Sequence, residues 1–422
     1  MNSILTPFRL GGIASPPRPR SVALVSEHAS PLAVLGGVDA GGQNVHVAAL
    51  ASALADRGHE VTVYTRRDAP DLPDEVPLRR GVTVHHVPAG PPEALPKDEL
   101  LPYMGDFGRH LAQVWRSGPP DVVHSHFWMS GVAALRATRE LGLPLLHTYH
   151  ALGTVKRRHQ QLADTSPPQR IALEREVGLA CDRVVATCRD EVDELARMGV
   201  PSSKVCVVPC GVDTALFTPR GPAMPRGPHP HRVLQLGRLV PRKGAAVSIT
   251  ALALLPDTEL VVAGGPPADR LADDPEVRRL RALADTVGVA DRVRFTGGVP
   301  SREVPPLLRG ADVVVCPADY EPFGIVPLEA MACGRPVVAS TVGGQLDTVA
   351  DPGTGRLVPP RHPEALAAAV GELLADPAAR AACGETGRRR VLRRYCWDRV
   401  GVATEAAYER VVDARPAMTG VV

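Results

Sequence analysis

The chain has 422 residues, of which 44% are hydrophobic, and this length predicts two domains with a core each. Its formal net charge of +2 provides no whole-molecule field that would favour nucleic acid or a membrane surface. No apolar run approaches the length of a membrane span, so we expect neither a nucleic-acid partner nor integral membrane association.

The first residues and the cysteines bear on location. Residues 1–20 are rich in proline and contain no apolar core of a signal peptide, so we predict a disordered arm. The eight cysteines are scattered without a paired C-x2-C spacing, which favours reduced thiols in a cytoplasmic protein over a zinc site. The sequence gives no indication of the oligomeric state.

Residues 21–217 show strands that alternate with helices. The predicted strands are SVALVSEH, EVTVYTR, VTVHHVP, DVVHSHF, PLLHTYH, RVVATC and KVCVVPCGVD. A helix over residues 44–57 follows a glycine-rich loop, and a second over 97–115 has its apolar residues on one face, namely Leu100, Met104, Phe107, Leu111 and Val114. Nearly continuous apolar strands that alternate with helices predict a doubly wound parallel sheet of the α/β class.

The pattern starts again after residues 218–231, whose density of proline and glycine predicts a linker. Over 232–395 the predicted strands are HRVLQLGRL, TELVVAGG, RVRFTGG, ADVVVCPA, RPVVAS and GRLVPP. The predicted helices lie near 245–255, 276–287, 303–309, 363–374 and 377–394, and a last amphipathic helix covers 396–415. Ligands of doubly wound sheets bind at the carboxyl ends of the strands, so we expect one cleft between two facing sheets.

The segment DYEPFGIVPLEAMACGRP follows a buried strand and opens a helix. Gly324 frees the backbone at the turn, and Pro327 suits the first helical turn. The N–H groups of such a helix attract phosphate, and the carboxylates of Glu321 and Glu329 can accept hydrogen bonds from hydroxyls. Phosphate together with hydroxyls describes a sugar nucleotide, although paired glutamates also recur on solvated helix faces.

A second segment, GRLVPRKG, places Arg238 and Lys243 on one loop before a helix. A guanidinium and an ammonium beside a helix N-terminus suit a diphosphate, which needs charge compensation while a glycosidic bond breaks. The alternative is a solvated basic loop. Dinucleotide binding is disfavoured, because GGVDAGGQN does not have the G-x-G-x-x-G spacing.

These segments resemble the donor site of retaining GT-B glycosyltransferases of the group 1 (GT4) type, in which two Rossmann-like domains face each other. The resemblance implies a UDP- or GDP-sugar donor, with Arg238 and Lys243 on the pyrophosphate, Glu321 on the sugar hydroxyls and Glu329 on the ribose. It also implies backbone contacts of sugar, diphosphate and base with Phe323, Gly324, Ile325, Val326, Gly297, Gly298 and Val299. The second domain is then the nucleotide-sugar domain, and the last helix returns to the first.

The first domain carries GGQN, DVVHSHFWMSG and HTYHALG, which resemble the sucrose-phosphate synthase and mycothiol-pathway (D-inositol 3-phosphate) glycosyltransferase branch. By this resemblance the acceptor lies here, His150 contacts the transferred sugar, and Lys97 and Arg170 grip a phosphorylated acceptor. From the residues alone, the amides of Gly41, Gly42 and Gln43 either cradle an anion or sugar oxygen of the acceptor or belong to a loop capped by Asn44. Lys156 either adds a phosphate contact or belongs to a solvated basic run. The mycothiol-pathway enzymes have a tyrosine and a threonine where this chain has Phe127 and Ala151, which counts against an inositol phosphate. We interpret His124, His126 and His147 as structural.

The resemblance implies transfer of a hexosyl group from a nucleoside diphosphate sugar to a hydroxyl acceptor, such as a sugar phosphate or cyclitol, with retention of configuration. The HTYHALG region offers no carboxylate nucleophile for a double displacement, so front-face attack is expected. No D-x-D metal site is evident, and we expect no cofactor and no obligatory metal. The alternatives left open are an epimerase of nucleotide sugars, a glycoside hydrolase that uses the two glutamates, and a non-catalytic nucleotide-sugar-binding protein.

Overall fold

The computed structural model describes residues 18–32 and 42–414. Predictions that concern residues 1–17, 33–41 and 415–422 lie outside the described residues, and these include most of the arm and Gly41. Within the described ranges, no helix is both long and apolar enough to cross a lipid bilayer.

The first half of the described chain forms an eight-stranded sheet with the order β3-β4-β2-β1-β5-β6-β7-β8. Its strands are β1 (Ser21–Val25), β2 (Glu60–Arg66), β3 (Glu75–Arg79), β4 (Val82–Val87), β5 (Val122–His126), β6 (Leu145–Thr148), β7 (Arg183–Ala186) and β8 (Val205–Val207). The helices between them are α1 (Gly42–Asp56), α2 (Met104–Ser117), α3 (Trp128–Leu141), α4 (Gly153–Gln160), α5 (Arg170–Ala180) and α6 (Arg189–Arg197). The strand pairs are parallel, except for β3 with β4.

The second half forms a parallel sheet whose six described strands have the order β11-β10-β9-β12-β13-β14. They are β9 (His231–Leu236), β10 (Thr258–Ala263), β11 (Val293–Gly297), β12 (Val313–Cys316), β13 (Val337–Ser340) and β14 (Gly355–Val358). The accompanying helices are α7 (Ala245–Leu252), α8 (Pro275–Thr286), α9 (Val304–Gly310), α10 (Ile325–Ala332), α11 (Gln345–Thr348), α12 (Pro363–Ala375), α13 (Pro377–Arg394) and α14 (Trp397–Val412). The predicted α/β class with two doubly wound sheets is confirmed.

The edge strand β3 was not predicted. Its side chains are exposed or half-buried in alternation and it contains Pro77, so it has neither an apolar run nor a regular ladder donor. Proline is tolerated at a sheet edge, where one side of the backbone makes no ladder bonds. The helix predicted from residue 97 begins only at Met104, because Pro102 lacks an N–H and would clash with the preceding turn of an α-helix.

The last helix, α14, follows the second half in sequence but packs on α1 of the first. Inside this contact the hydroxyl of Tyr408 lies 2.9 Å from Nδ1 of His124, and Nε2 of His124 lies 2.9 Å from the hydroxyl of Thr148. Glu405 of α14 contacts Nε2 of His59 at 2.9 Å. Because these polar groups are buried, their hydrogen bonds fix where α14 sits.

The chain crosses between the two halves at two places, and these crossings touch. The N–H of Val212 donates to the carbonyl of Tyr395 at 2.8 Å, and Val212 and Cys396 form an isolated parallel bridge. Beyond Val212, the irregular residues 213–230 pack on the second half, where Arg226 pairs with Asp312 at 2.6 Å.

Candidate active site

The carboxyl ends of the two sheets face one another across a narrow cleft. A Cβ on Gly42, at the start of α1, would lie 3.1 Å from Cδ1 of Ile325 at the start of α10, so a larger residue would crowd this approach. The N–H of Arg189 donates to Oδ2 of Asp347 at 2.6 Å, and the rings of His159 and Tyr320 stack at 5.1 Å. The two halves are therefore in direct contact at several points along the cleft.

The loop from β9 to α7 carries Lys243 into this cleft. The loop folds tightly because Gly244 has a φ of 74°, and a Cβ there would lie 2.0 Å from the carbonyl oxygen of Pro317. The amide of Gln235 donates to the carbonyl of Lys243 at 2.8 Å and holds the loop. The Lys243 ammonium donates to the carboxylate of Glu321. The structure thus brings two of the predicted donor-site residues together.

Charge stabilises the ionised form of Glu321. Burial alone would raise the pKa of Glu321, but Lys243, Arg242 and the N–H of Gly324 together lower it below its ordinary value. Arg242 was not predicted as a site residue, although it adjoins Lys243 in GRLVPRKG. Its guanidinium donates to the carbonyl of Tyr320 at 3.2 Å, and burial lowers the pKa of Arg242. Arg238, by contrast, is exposed on the same loop.

Glu329 lies on α10, one turn after the helix begins, and its environment is the reverse of that of Glu321. Burial raises the pKa of Glu329 to about 8. Its carboxyl group is consequently protonated at neutral pH in the ligand-free protein. Two carboxyl groups of one segment are therefore held in opposite protonation states by their surroundings.

The predicted base-binding segment ends β11. The N–H of Gly298 donates to the carbonyl of Pro266 at 2.8 Å, and the carbonyl of Gly297 accepts from the N–H of Gly264 at 2.8 Å. Val299 packs on the core of the second half. These contacts fix the backbone beside the loop that follows β10.

Two glutamines in the donor pocket were not predicted. Gln235 and Gln345 line a small pocket together with Lys243, Glu321 and Val326. The amide nitrogen of Gln345 donates to the carbonyl of Cys316 at 3.0 Å, and the amide oxygens of both glutamines are buried without a protein partner. Each oxygen is a hydrogen-bond acceptor available to a hydroxyl-rich ligand. Their sequence contexts, VLQLG and VGGQLD, contain no motif that would have indicated this.

On the opposite wall, His150 follows β6 with a φ of 61°, which turns its side chain toward the cleft. Its Nε2 lies 3.0 Å from Nδ1 of His126, and its ring meets the ring of Phe323 edge-on at 5.5 Å between centroids. Burial lowers the pKa of His150 and of His126 well below the ordinary value, so both imidazoles are neutral at neutral pH. The structure thus places His150 against the segment that contains Glu321.

The other histidines divide into two groups. His124 bonds to Tyr408 and Thr148, and Nδ1 of His147 lies 2.8 Å from the hydroxyl of Ser125, as expected of structural residues. His126 differs, because it contacts His150 directly. His46, on α1, was not considered from the sequence, and its ring lies 5.0 Å from that of His150. Burial lowers the pKa of His46 to about 4.

The predicted acceptor residues are distributed over the first half. The Gln43 amide lies 3.2 Å from the hydroxyl of Ser26 and donates to the carbonyl of His126 at 3.3 Å, at the edge of the histidine group. Gly42 begins α1, and Lys97 lies in a short helical turn before α2. Gly41 lies outside the described residues.

Lys156 and Arg170 meet at one hydroxyl. Ser166 Oγ lies 2.9 Å from Nζ of Lys156 and 3.1 Å from a guanidinium nitrogen of Arg170. Arg170 is buried, donates to Glu174 at 2.7 Å and to the carbonyl of Ala151 at 2.7 Å, and its guanidinium lies over the ring of Phe127. Any phosphate would therefore compete with partners that these cations already have.

Comparison with known proteins agrees with this geometry. The model of the family described as Glycosyltransferase Family 4 matches residues 40–216, and that described as Glycosyl transferases group 1 matches residues 225–390. A D-inositol 3-phosphate glycosyltransferase from Acidothermus cellulolyticus is 39% identical, with 94% of this chain and 92% of that protein covered. A protein of the same description from Xylanimonas cellulosilytica is 40% identical, with 94% and 98% covered.

Among solved structures, a sucrose-phosphate synthase from Thermosynechococcus elongatus superimposes with a TM-score of 0.83 at 32% identity. The match covers 94% of this chain and all (100%) of that one. These relatives decide among the four classes that the sequence left open, in favour of the glycosyltransferase. The chain belongs to the group 1 glycosyltransferases of family 4, which are retaining hexosyltransferases of the GT-B fold.

Proposed function

We propose that this glycosyltransferase transfers a hexosyl group from a UDP- or GDP-sugar to a phosphorylated sugar or cyclitol. The observation that carries the proposal is the meeting of Lys243 and Glu321 with the start of α10 on one wall of the cleft, opposite His150. An ammonium, a carboxylate and a helix N-terminus supply what a diphosphate joined to a sugar requires.

On the donor side, the diphosphate takes over the ammonium of Lys243, and the guanidinium groups of Arg242 and Arg238 add charge from the same loop. The carboxylate of Glu321, released from Lys243, then accepts hydrogen bonds from sugar hydroxyls. Glu329 accepts hydrogen bonds from the ribose once it has lost its proton. The unpartnered amide oxygens of Gln235 and Gln345 supply two further acceptors for hydroxyls.

During transfer, the bond between the anomeric carbon and the diphosphate oxygen breaks, and its electron pair stays on the diphosphate. Lys243 and the N–H groups at the start of α10 stabilise the charge that develops there. The acceptor hydroxyl attacks the anomeric carbon from the face that the diphosphate leaves, which gives retention. Its proton passes to a diphosphate oxygen. His150 is neutral, so it contributes a hydrogen bond to the sugar rather than a charge.

Features of the first half and the names of the relatives support this acceptor class. Lys156 and Arg170 share the hydroxyl of Ser166, so an anionic group that displaces this hydroxyl would meet both cations. The similar proteins from two bacteria are named for D-inositol 3-phosphate, which is a cyclitol phosphate. Because Phe127 and Ala151 carry no hydroxyl, we propose the wider class of sugar and cyclitol phosphates as acceptors. We also propose a cytoplasmic location and a reaction that needs no divalent metal.

The donor is tested by thermal shift with UDP-, GDP-, ADP- and dTDP-sugars, followed by calorimetry of the donor that stabilises most. Lys243→Ala should weaken binding of that donor about 10- to 100-fold, because a charge-assisted hydrogen bond contributes about 1.5–3 kcal/mol. Arg278→Ala, on the exposed side of α8, is the matched control and should leave the affinity unchanged. Equal affinity in both variants would remove Lys243 from the donor site.

The acceptor is tested with pairs that differ only in a phosphate, namely glucose 6-phosphate against glucose and D-inositol 3-phosphate against inositol. The phosphorylated member of at least one pair should have the higher kcat/KM, and Lys156→Ala should reduce this preference. Equal use of both members in each pair would contradict the phosphate assignment. Addition of EDTA should not reduce turnover. Loss of turnover on addition of EDTA would contradict the proposal that the reaction needs no divalent metal.

A further inference from the structure

Three imidazoles converge beneath the cleft in an arrangement that the transfer reaction does not require. His46, His126 and His150 come from α1, from the end of β5 and from the turn after β6, and all three are buried. One ligand nitrogen of each can be chosen so that the three lie within 4.8 Å of one another. Convergence of three buried imidazoles from three separate elements is typical of sites for transition-metal ions.

Two of the spacings can be compared with a metal geometry directly. Nδ1 of His126 and Nε2 of His150 are 3.0 Å apart. Two nitrogens bound to one tetrahedral zinc ion at about 2.0–2.1 Å would be about 3.4 Å apart, so these two require little movement. The third imidazole, that of His46, lies with its ring 5.7 Å from that of His126 and 5.0 Å from that of His150, and it must move closer to complete the site.

The hydrogen bonding of the cluster is also incomplete. Nε2 of His126 and Nδ1 of His150 are both buried and have no protein partner. These two atoms lie opposite the close pair of nitrogens on their rings, so they would carry the protons when the close pair binds an ion. Nδ1 of His46 faces the thiol of Cys210 at 3.4 Å, a contact that orients the ring and leaves Nε2 for the cluster.

We propose that His46, His126 and His150 bind a divalent transition-metal ion of the zinc type, with a water molecule or substrate oxygen at the fourth position. Each imidazole gives the lone pair of one ring nitrogen to the ion and carries its proton on the other, so binding releases no proton. The contact of the His126 and His150 rings opens to admit the ion.

Such binding would inhibit turnover, a consequence that rests on the proposed function of His150. The ring nitrogen of His150 that gives its lone pair to the ion is no longer available for a hydrogen bond to the transferred sugar. Zinc would thus act as an inhibitor of the enzyme, in contrast to a catalytic cofactor.

The site is tested by titrating untagged full-length protein with Co²⁺, followed by absorption spectroscopy and by X-ray absorption of the Zn²⁺ form. We expect one ion with nitrogen and oxygen ligands and no thiolate charge-transfer band. His46→Gln should weaken binding roughly 100-fold or more, because loss of a ligand costs at least as much as loss of a group that only orients one.

The chain offers a matched control in His85 and His110, whose Nε2 atoms are also 3.0 Å apart but lie outside the cleft. His110→Gln should leave the first Co²⁺ site unchanged. Equal affinity in wild type and His46→Gln, loss of the site in His110→Gln, or no bound ion in wild type would each overturn the proposal. If His46→Gln does not fold, the number of imidazole ligands in the zinc form of wild type decides: three support the site, and fewer refute it.

Turnover distinguishes the metal site from the proposed function. Zn²⁺ should inhibit wild type and His110→Gln, and EDTA should restore activity. Co²⁺ binding at the cluster without any glycosyl transfer would refute the proposed function and still support the proposed metal site. Transfer that Zn²⁺ does not inhibit, with Co²⁺ bound at the cluster, would refute only the inhibition.

Discussion

The ammonium of Lys243 donates a hydrogen bond to the carboxylate of Glu321 across two loops of the second sheet. Both side chains are mostly buried, with 21% and 14% of their surfaces exposed. In the ligand-free protein, the lysine assigned to the diphosphate is therefore held by the carboxylate assigned to the sugar. Donor binding must exchange this ion pair for two new contacts, one for each partner.

This exchange predicts an unusual effect for Glu321→Gln. A neutral amide competes less strongly for Lys243 and does not repel the diphosphate, so a free nucleoside diphosphate should bind several-fold more tightly. The kcat with the intact donor should fall, since the hydrogen bonds to the sugar hydroxyls are weaker. Calorimetry with the diphosphate alone and steady-state kinetics with the sugar donor measure the two effects. Weaker binding of the diphosphate would show that Glu321 does not restrain Lys243.

The raised pKa of Glu329 predicts a pH-dependent donor affinity. A pKa of about 8 leaves the group protonated at pH 7, and the carboxylate is a stronger acceptor for the ribose hydroxyls than the acid, because both of its oxygens can accept. Affinity for a nucleotide sugar should rise as the pH increases toward 8, by at most about tenfold per unit, and level off above it. Calorimetry between pH 6 and 9 tests this, with Glu329→Gln as the control that should show no such rise. The same pH dependence of donor affinity in wild type and Glu329→Gln would contradict the assignment of Glu329 to the ribose.

The same shift has a consequence for stability. The folded state holds this proton more tightly than the unfolded state, whose carboxyl has the ordinary pKa of 4.5. Glu329 should thus lower the free energy of unfolding progressively as the pH rises from about 4.5 to 8. Urea unfolding of wild type and Glu329→Gln across this range should show a difference that grows with pH, and a constant difference would contradict it.

His150 should affect turnover more than donor affinity. His150→Asn is preferable to alanine, because asparagine tolerates the positive φ at this position while the imidazole is removed. Loss of one preorganised hydrogen bond to the transition state should lower kcat by about 10²–10³-fold, with a small change in donor dissociation constant. His147→Asn, from the same segment, should lower the unfolding midpoint, whereas the kcat of the folded protein should be unchanged. Wild-type turnover in His150→Asn would return that residue to a structural role.

Tyr408→Phe should destabilise the protein without altering the active site. The change leaves Nδ1 of His124 buried without its partner, which costs about 1–3 kcal/mol. Urea unfolding should show this loss, and donor affinity should remain that of wild type. Tyr103→Phe, at the start of α2, is the matched control. No difference between the two variants would show that the α14 contact does not depend on this hydroxyl.

Most of the fold could be predicted from the sequence because its parallel strands are buried on both faces and so are continuously apolar. The strand from Val313 to Cys316 is an example, with every residue buried. The exceptions are elements that make few apolar contacts or interrupt a pattern. The edge strand from Glu75 to Arg79 is half exposed, and Pro102 divides a segment whose apolar spacing predicted one helix.

The candidate site could be predicted from the sequence where its residues belong to a local motif. Glu321, Glu329 and Lys243 stand in segments whose turn and helix signals are visible in the sequence. Gln235, Gln345 and His46 could not be found in this way, because their significance depends on which groups the folded chain brings beside them. The opposite pKa shifts of the two glutamates could not be predicted either, since burial in the folded chain raises the pKa of Glu329, and Lys243, far away in sequence, lowers that of Glu321.

The hydrogen-bonded crossings at Val212 and Tyr395 limit how the cleft can open. Two adjacent connections resist sliding and twisting, whereas they still permit bending about the line that they define. We expect the two halves to open by rotation about a hinge axis through these two crossings. Each closure would then return His150 to the same place opposite the sugar. The alignment of His150 with the donor sugar in every catalytic cycle would then depend on these two crossings, which lie far from the reacting atoms.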